Sequence, residues 1–225
     1  GPRLRIMVAL EGGDRVEAGR LAADALGRMS AWTADPRTED FGIVRDATPE
    51  LIDVLRDTGV ITDTVRAERR RAWLDEWRGR TAPRNGPFLW LSGYASRVSD
   101  EPEAIEALAA MSEHGRPPFH PLAYPDLGIG HMYLHAGRAA EAAPILARAA
   151  GSCHASEFTF GLELPWQTVR ASLALGRALE ETGDMTGACA AYQRVIDRWG
   201  AATPPSVTAA EARARRAHLP CPPRA

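Results

Sequence analysis

The stretch 126–150, DLGIGHMYLHAGRAAEAAPILARAA, recurs in divergent form at 172–196, SLALGRALEETGDMTGACAAYQRVI. Small and apolar residues align at a constant offset of 46 residues: Gly130, Gly137, Ala142, Leu146 and Ala149 with Gly176, Gly183, Ala188, Tyr192 and Val195. Apolar residues recur three and four positions apart on both sides of Gly137 and of Gly183, which predicts two helices joined at a glycine in each copy. A fixed internal period is typical of folds that stack one supersecondary unit on the next.

Glycines inside the first helix of each copy predict close helix packing. A glycine in the middle of a helix costs about 1 kcal/mol relative to alanine. That cost is offset where a second helix must approach the backbone, so we expect Gly130 to face Ala142 and Gly176 to face Ala188. Pro144 lies inside the second helix of the first copy, and we expect it to kink or delay that helix.

The remainder of the chain also shows helical spacing of its apolar residues. No alternating pattern predicts a strand, so the fold class is all-α. Helices are predicted after Asp14 and over 49–58, 62–79, 88–97, 101–113, 122–136, 139–150, 165–182, 185–199 and 208–218. Asp14, Thr48 and Asp100 are predicted N-caps, and Thr208 with Glu211 forms the T-x-x-E pattern of a capping box.

The repeat period predicts how the chain is organised. It exceeds the length of about 34 residues that is usual for a repeat of this layout, which indicates an insertion at 151–164. We expect residues 116–225 to hold the two repeats, this insertion and a capping C-terminal helix at 206–218, because solenoid ends need a polar outer face. Residues 3–115 are expected to form N-terminal helical hairpins that are degenerate repeats. The predicted architecture is an irregular helical-repeat solenoid.

The order of residue types within each copy resembles the tetratricopeptide repeat. A small residue in the first helix is followed three positions later by an aromatic, then by glycine at the turn, alanine in the second helix and a bulky residue four positions on. Tyr133 supplies the aromatic of the first copy, and Leu179 is its counterpart in the second. The resemblance implies a tetratricopeptide-like solenoid that binds a protein or peptide partner.

The tail 175–219, LGRALEETGDMTGACAAYQRVIDRWGAATPPSVTAAEARARRAHL, is similar to the C-terminal repeat region of bacterial, especially myxobacterial-type, serine/threonine protein kinases. The shared phrase is G-D-x-x-x-A-x-x-x-Y, followed by R-W-G and by A-x-P-x-S-V-T-A. The segments AWTADPRTEDF (31–41) and WLSGYA (90–95) also resemble that region. The resemblance covers most of 9–219 and implies that the parent polypeptide carries a kinase domain.

The tripeptide Asp40-Phe41-Gly42 copies the magnesium-binding motif of protein kinases, but the companion motifs are missing. All 27 basic residues are arginine, so the lysine that a kinase or a P-loop places on nucleotide phosphates does not occur. Only 43–47 separate the tripeptide from Thr48, which leaves no room for an activation loop. We expect no catalytic residue and no cofactor in this chain.

The inner groove that the resemblance implies is lined by the first helix of each repeat. Its candidate peptide-binding residues are Tyr124, His131, His135, Arg170, Arg177 and Glu181. Two arginines can hold a peptide carboxylate through paired hydrogen bonds. Two other interpretations stay open: the chain's own insertion or capping helix fills the groove, or His131 and His135, one helical turn apart, bind a metal. No third ligand is tied to the histidine pair by spacing, so no metal site is predicted.

Composition favours an ordinary soluble domain. The net charge is −2 and 45% of residues are hydrophobic, so neither nucleic acid nor a membrane is the expected partner. The segment 65–80, VRAERRRAWLDEWRGR, combines arginines with Trp73 and Trp77. We interpret it as core tryptophans beneath a solvated charged face rather than a surface for single-stranded nucleic acid. The sequence predicts no particular oligomeric state.

The cysteines bear on the cellular compartment, and the first two residues bear on whether the chain is part of a longer protein. Cys153, Cys189 and Cys221 do not form a dense disulfide framework, so a reducing cytoplasm is expected. We interpret them as small buried apolar residues, and a redox pair of Cys153 and Cys189 stays open as the alternative. The chain opens with Gly1-Pro2 instead of Met. We interpret these residues as the remnant of a cleaved tag and expect the chain to be part of a longer protein.

The repeat and the kinase-like tail together favour a non-catalytic helical-repeat region for protein interaction or sensing in bacterial signalling. The alternative is a sensor domain that responds to a small molecule or a metal through His131, His135 and the neighbouring arginines.

Overall fold

The computed structural model describes residues 1–33, 46–80, 86–95, 98–114, 123–151 and 164–222. All regular secondary structure in these ranges is helical, which confirms the all-α class. Residues 152–163 of the predicted insertion and the tripeptide at 40–42 lie outside the described ranges, so the structure does not test the interpretation of either.

Eleven helices occur within the described ranges. They are α1 (Pro2–Glu11), α2 (Arg15–Thr33), α3 (Thr48–Asp57), α4 (Asp63–Arg80), α5 (Gly86–Gly93), α6 (Glu101–His114), α7 (Ala123–His135), α8 (Ala139–Gly151), α9 (Leu164–Glu181), α10 (Met185–Trp199) and α11 (Val207–Ala217). Most predicted boundaries are correct to within one or two residues. The exception is α5, which ends at Gly93 although the prediction extended to 97.

The chain divides into two compact units. The first comprises Gly1–Leu10 and Asp14–Pro118, and the second comprises Glu11–Gly13 and Phe119–Ala225.

In the first unit, helices that are consecutive in sequence pack on one another: α2 on α3, α3 on α4, α4 on α5 and α5 on α6. Its apolar core includes Leu21, Leu51 and Leu55, each buried. Asp14 and Asp100 cap α2 and α6, since each carboxylate accepts a backbone N–H from the residue three positions later, at 3.0 and 2.9 Å. Both predicted N-caps are therefore confirmed.

A buried carboxylate organises the two tryptophans of α4. Asp46 Oδ2 accepts the indole N–H of Trp73 at 2.7 Å and of Trp77 at 2.9 Å, and Oδ1 accepts the backbone N–H of Thr48 at 2.9 Å. Thr48 is thus the first residue of α3 rather than its N-cap, which corrects the prediction. The burial of both tryptophans confirms the interpretation of 65–80 as a core segment.

The charged face of α4 is not wholly solvated, contrary to prediction. Arg66 is only 3% exposed and forms ion pairs with Asp53, at 2.8 Å, and with Glu103. Arg70 is also buried and pairs with Glu106 at 3.0 Å. A buried arginine needs such partners, because an uncompensated charge away from water is costly. These pairs tie α4 to α3 and α6.

In the second unit, α7 and α8 form one helical hairpin, and α9 and α10 form another. Gly137 and Gly183 have φ of +69° and +83°, in the left-handed region that glycine adopts without strain. After Gly137, the N–H of Arg138 donates to the carbonyl of Tyr133, and Asp184 donates in the same way to Leu179, both at 2.9 Å. Each hairpin therefore turns through the same glycine C-cap.

The first helix of each hairpin approaches the second at a glycine. A Cβ added to Gly130 would lie 2.5 Å from Cγ of Leu146, and one added to Gly176 would lie 2.6 Å from Cζ of Tyr192. Both glycines are buried, as expected. We expected Gly130 to face Ala142 and Gly176 to face Ala188. The atoms nearest to each glycine belong instead to Leu146 and Tyr192, the larger residues one helical turn further along.

Pro144 does not delay α8. The helix begins at Ala139 and continues through Pro144, which is exposed. The predicted delay of this helix is wrong.

The start of α11 differs from the predicted capping box. Ser206 is the N-cap, and its Oγ accepts the backbone N–H of Ala209 at 2.9 Å. The carboxylate of Glu11, which belongs to the second unit, accepts hydrogen bonds from Ser206 Oγ at 2.5 Å, Thr208 N at 3.0 Å and Thr208 Oγ1 at 2.9 Å. Glu211 instead bonds Arg177, so the T-x-x-E pattern was misassigned.

Cys189 in α10 and Cys221 beyond α11 form a disulfide bond. The interpretation of both as isolated apolar residues is therefore wrong, although Cys189 is buried as expected. Cys153 lies outside the described ranges. The bond ties the end of the second unit to one of its core helices.

We expect Gly176→Ala to destabilise the protein by about 1–2 kcal/mol. The added methyl group collides with the Tyr192 ring, and overpacking of this kind costs about 1–3 kcal/mol, partly offset by the higher helix propensity of alanine. Gly27→Ala in α2 is the matched control, because no atom lies within 4 Å of the position of its Cβ. The control should gain up to about 1 kcal/mol. Urea denaturation measures both, and equal effects would contradict the packing role of Gly176.

We expect Asp46→Asn to lower the free energy of unfolding by about 1–3 kcal/mol, because an amide cannot accept all three buried N–H groups. Asp75→Asn is the control, since Asp75 pairs with Arg78 on the exposed face of α4 and should change stability by at most about 1 kcal/mol. Denaturation followed by fluorescence measures the change, and Trp73 and Trp77 are two of the six tryptophans that contribute to the signal. An unchanged midpoint for Asp46→Asn would show that the carboxylate does not hold these indoles.

Candidate functional site

The predicted groove residues fall on α7 and α9, which pack against each other. His131 and His135 lie one turn apart on α7, with ring centroids 6.3 Å apart in an edge-to-face arrangement. Arg170 and Arg177 lie two turns apart on α9, and Glu181 is the exposed last residue of that helix. The side chain of Tyr124 is outside the described part of the structure.

The four basic side chains act on one another electrostatically. Burial of the His131 imidazole lowers its pKa from 6.5 to about 4, and the positive charges of His135, Arg177 and Arg170 lower it in the same direction. His131 and His135 on α7 and Arg170 and Arg177 on α9, the helix that packs against it, are called here the basic cluster. His131 is neutral at pH 7, so the arginines carry most of its charge.

Both arginines of the basic cluster are paired with carboxylates of the chain itself. Arg177 donates to Glu211 of α11 through Nε, at 3.1 Å, and through Nη2. Arg170 lies 3.7 Å from a carboxylate oxygen of Glu11. The carboxylate bound to Arg177 is therefore that of Glu211 in α11.

Glu211 belongs to a chain of charges that sequence reasoning did not find. Its carboxylate also accepts from Arg215 Nε at 3.1 Å, one turn further along α11, and Arg215 Nη1 lies 3.3 Å from Glu180 Oε2 on α9. These contacts lower the pKa of Glu211, opposing the effect of its burial. The spacing of Glu211 and Arg215 is the usual i, i+4 pairing signal. The assignment of Glu211 to a capping box concealed it.

The exposure of these groups leaves the cluster open to competition. Arg170, Arg177 and Glu211 are each between 36 and 37% exposed. Ion pairs at such exposure contribute at most about 1 kcal/mol, because water and salt screen them. A carboxylate from another molecule can therefore replace Glu211 at Arg177 at modest cost.

Metal chemistry finds little support in this arrangement. Within the described ranges, no group of three or more histidine, cysteine, aspartate or glutamate side chains is placed to hold a metal ion. The neighbouring arginines would also repel a cation from His131 and His135. The chemistry that the basic cluster suits is the binding of an anion through charge-assisted hydrogen bonds.

Comparisons with known proteins give no match for this chain. No family model, no curated protein and no solved structure matches the chain. Among the described helices, none combines the length and apolar character needed to cross a bilayer.

The low pKa of His131 makes stability depend on pH. Between pH 4 and 6.5 the unfolded chain binds a proton at this histidine that the folded chain does not bind, so the free energy of unfolding rises with pH across that window. We expect acidification from pH 7 to pH 4 to cost about 1–3 kcal/mol at this residue.

His131→Gln should flatten the pH dependence in that window, whereas His218→Gln, at the exposed end of α11, should retain it. Chemical denaturation at a series of pH values measures the slope, and NMR titration measures the pKa of each histidine. An NMR pKa near 6.5 for His131 would contradict the burial of its ring among positive charges.

Proposed function

We propose that this chain is a non-catalytic helical-repeat region that binds a protein or peptide partner in signalling. The observation that carries the proposal is the repetition of contacts at the 46-residue period. The pair Gly130–Leu146 corresponds to Gly176–Tyr192, and the turn at Gly137 corresponds to the turn at Gly183. A tetratricopeptide-like solenoid accounts for both correspondences, because each repeat uses the same internal packing.

The arrangement of helices supports a binding surface on the first helices of the hairpins. Helix α7 packs on α9 as well as on its own partner α8, so the first helices of the two hairpins are neighbours. In solenoids of stacked hairpins such helices line an extended concave surface that receives partners. The basic cluster lies on these two helices, and this face is where we place the partner.

The arginines of the basic cluster indicate which chemical group the partner presents. Arginine binds carboxylates bidentately and remains charged at all physiological pH values. The pairing of Arg170 with Glu11 and of Arg177 with Glu211 supports a carboxylate as the ligand of these arginines. We infer that the partner presents an acidic segment or a C-terminal carboxylate to Arg170 and Arg177, with His131 and His135 beside it.

The resemblance of the tail to kinase C-terminal regions supports a place in bacterial serine/threonine kinase signalling. The S-V-T part of the shared phrase has a structural task in this chain, because Ser206 and Thr208 both bond the buried carboxylate of Glu11. The same proposal places the protein in the cytoplasm, where the parent polypeptide binds its partner through this region.

The alternative proposal is a sensor of small anionic molecules. The placement of the basic cluster on two helices that pack together favours it, because arginines on one helix and histidines on the other can bind different carboxylates of one di- or tricarboxylate. A ligand that binds only the folded chain must raise its melting temperature, by an amount that grows with ligand concentration.

Fluorescence polarisation against an array of acidic and neutral peptides tests the proposal. We expect acidic peptides to bind at micromolar strength and Arg170→Ala to weaken them roughly tenfold, because a charge-assisted hydrogen bond contributes about 1.5–3 kcal/mol. Arg194→Ala is the matched control, since Arg194 is exposed on α10 and should change binding less than twofold.

Equal binding by the two variants, or no peptide bound at micromolar concentration, would contradict a peptide-binding face. A rise in melting temperature with small carboxylates but with no peptide would establish the alternative sensor function instead.

A further inference from the structure

Helix α11 is attached to the second unit at its two ends by different means. At its start, the buried carboxylate of Glu11 accepts hydrogen bonds from Ser206 and from Thr208. Beyond its end, the disulfide between Cys189 and Cys221 joins the following segment to α10. The first attachment is non-covalent and buried, whereas the second is covalent and can be opened by a reductant.

Between these attachments α11 contributes little apolar surface. Ala209 and Ala212 are its fully buried apolar residues, and each offers a single methyl group to the core around Tyr192 and Val195. Leu219, past the helix, is only partly buried. An isolated helix of 11 residues is not stable in water, so α11 depends on its end attachments to stay folded.

The middle of α11 covers one end of the basic cluster. Glu211 lies between the two attachments and holds Arg177, while Arg215 on the next turn pairs with Glu180. Both pairs are partly exposed, so they hold the helix weakly. If the part of α11 from Glu211 onward unfolded, Arg177 would lose its carboxylate.

We propose that the Cys189–Cys221 disulfide is a redox latch on the basic cluster. While it is closed, α11 keeps Glu211 on Arg177. When it is opened, the helix unfolds from its C-terminal end toward Ser206, and Arg177 becomes available to the carboxylate of a partner. The last step rests on the proposed peptide-binding function, whereas the opening of the helix does not.

The opening step is an ordinary thiol–disulfide exchange with a dithiol. A thiolate of the dithiol attacks Sγ of Cys221, the less buried of the two sulfur-bearing residues, and the S–S bond breaks with its electron pair leaving on Cys189, which is then protonated. The second thiol of the reductant attacks the mixed disulfide and releases the Cys221 thiol. The protein gains two protons and two electrons, and the dithiol, which supplies them, becomes a disulfide.

Hydrogen exchange of the full chain tests the latch without any partner. Amide exchange is measured on the oxidised protein, on the protein reduced with dithiothreitol, and on Cys221→Ser. We expect the amides of 211–219 to exchange at least about tenfold faster in the last two samples, because the covalent attachment is lost. The amides of α7 and α8 should not change.

Cys153→Ser, oxidised, is the matched control, because it makes the same chemical change without touching the disulfide. It should exchange like the oxidised parent protein. Equal exchange of 211–219 in the oxidised and reduced parent protein would overturn the latch, whatever the behaviour of the Cys221→Ser variant.

A labelled peptide copying residues 205–219 tests whether opening uncovers Arg177. We expect it to bind the reduced protein at least about tenfold more tightly than the oxidised protein, and we expect the same peptide with Glu211→Gln to bind more weakly. Equal binding to both redox states would overturn the uncovering of Arg177. Neither measurement uses an external partner, so the absence of a partner would count against the proposed function alone.

Discussion

The second unit depends on the close approach of paired helices at Gly130 and Gly176. At each site a side chain from the second helix of the hairpin, Leu146 or Tyr192, occupies the space that a Cβ would need. Tyr192 is fully buried there, with its ring against the backbone of α9. Any larger residue in place of glycine would separate the two helices. The packing of α10, and with it the docking of α11, follows from this contact.

The ion pairs of the two units differ in burial. In the first unit, Arg66 is almost completely buried between Asp53 and Glu103, and removal of Arg66 would take from both carboxylates the cation that they share. In the second unit, the pairs of Arg170 and Arg177 stand partly in water. Exposed pairs contribute little to stability because water and salt screen them, so the first arrangement fixes structure more strongly than the second.

Local signals in the sequence account for most of the helices and for the form of the hairpins. The glycine turns and the N-caps Asp14 and Asp100 are each specified by a few neighbouring residues. The period of 46 residues is visible because the same short pattern occurs twice. The neighbours of Gly130 and Gly176 were predicted one turn too early, because the stagger between two helices depends on side-chain size along the whole contact. Leu146 and Tyr192 are the bulky residues that fill the gap.

The candidate site was harder to predict, because its features are contacts between residues distant in sequence. Glu11 reaches Thr208 across 197 positions, and no local pattern indicates such a bond. The disulfide depends on the path of the chain after α11, which a proline-rich tail does not specify. Glu211 carries a capping signal that its ion pair with Arg177 overrides, since the helix already has Ser206 as its N-cap.

Two demands on α11 explain its unusual composition. A helix that covers apolar surface is favoured by large apolar side chains. In the latch that we propose, α11 must also be able to move away from Arg177, which favours small ones. Ala209 and Ala212 are small side chains of this kind. They bury little apolar surface, and the attachments at Glu11 and Cys221 supply stability that larger side chains would otherwise provide. The helix is held mainly at its ends, so a chemical change at one end is sufficient to alter its middle.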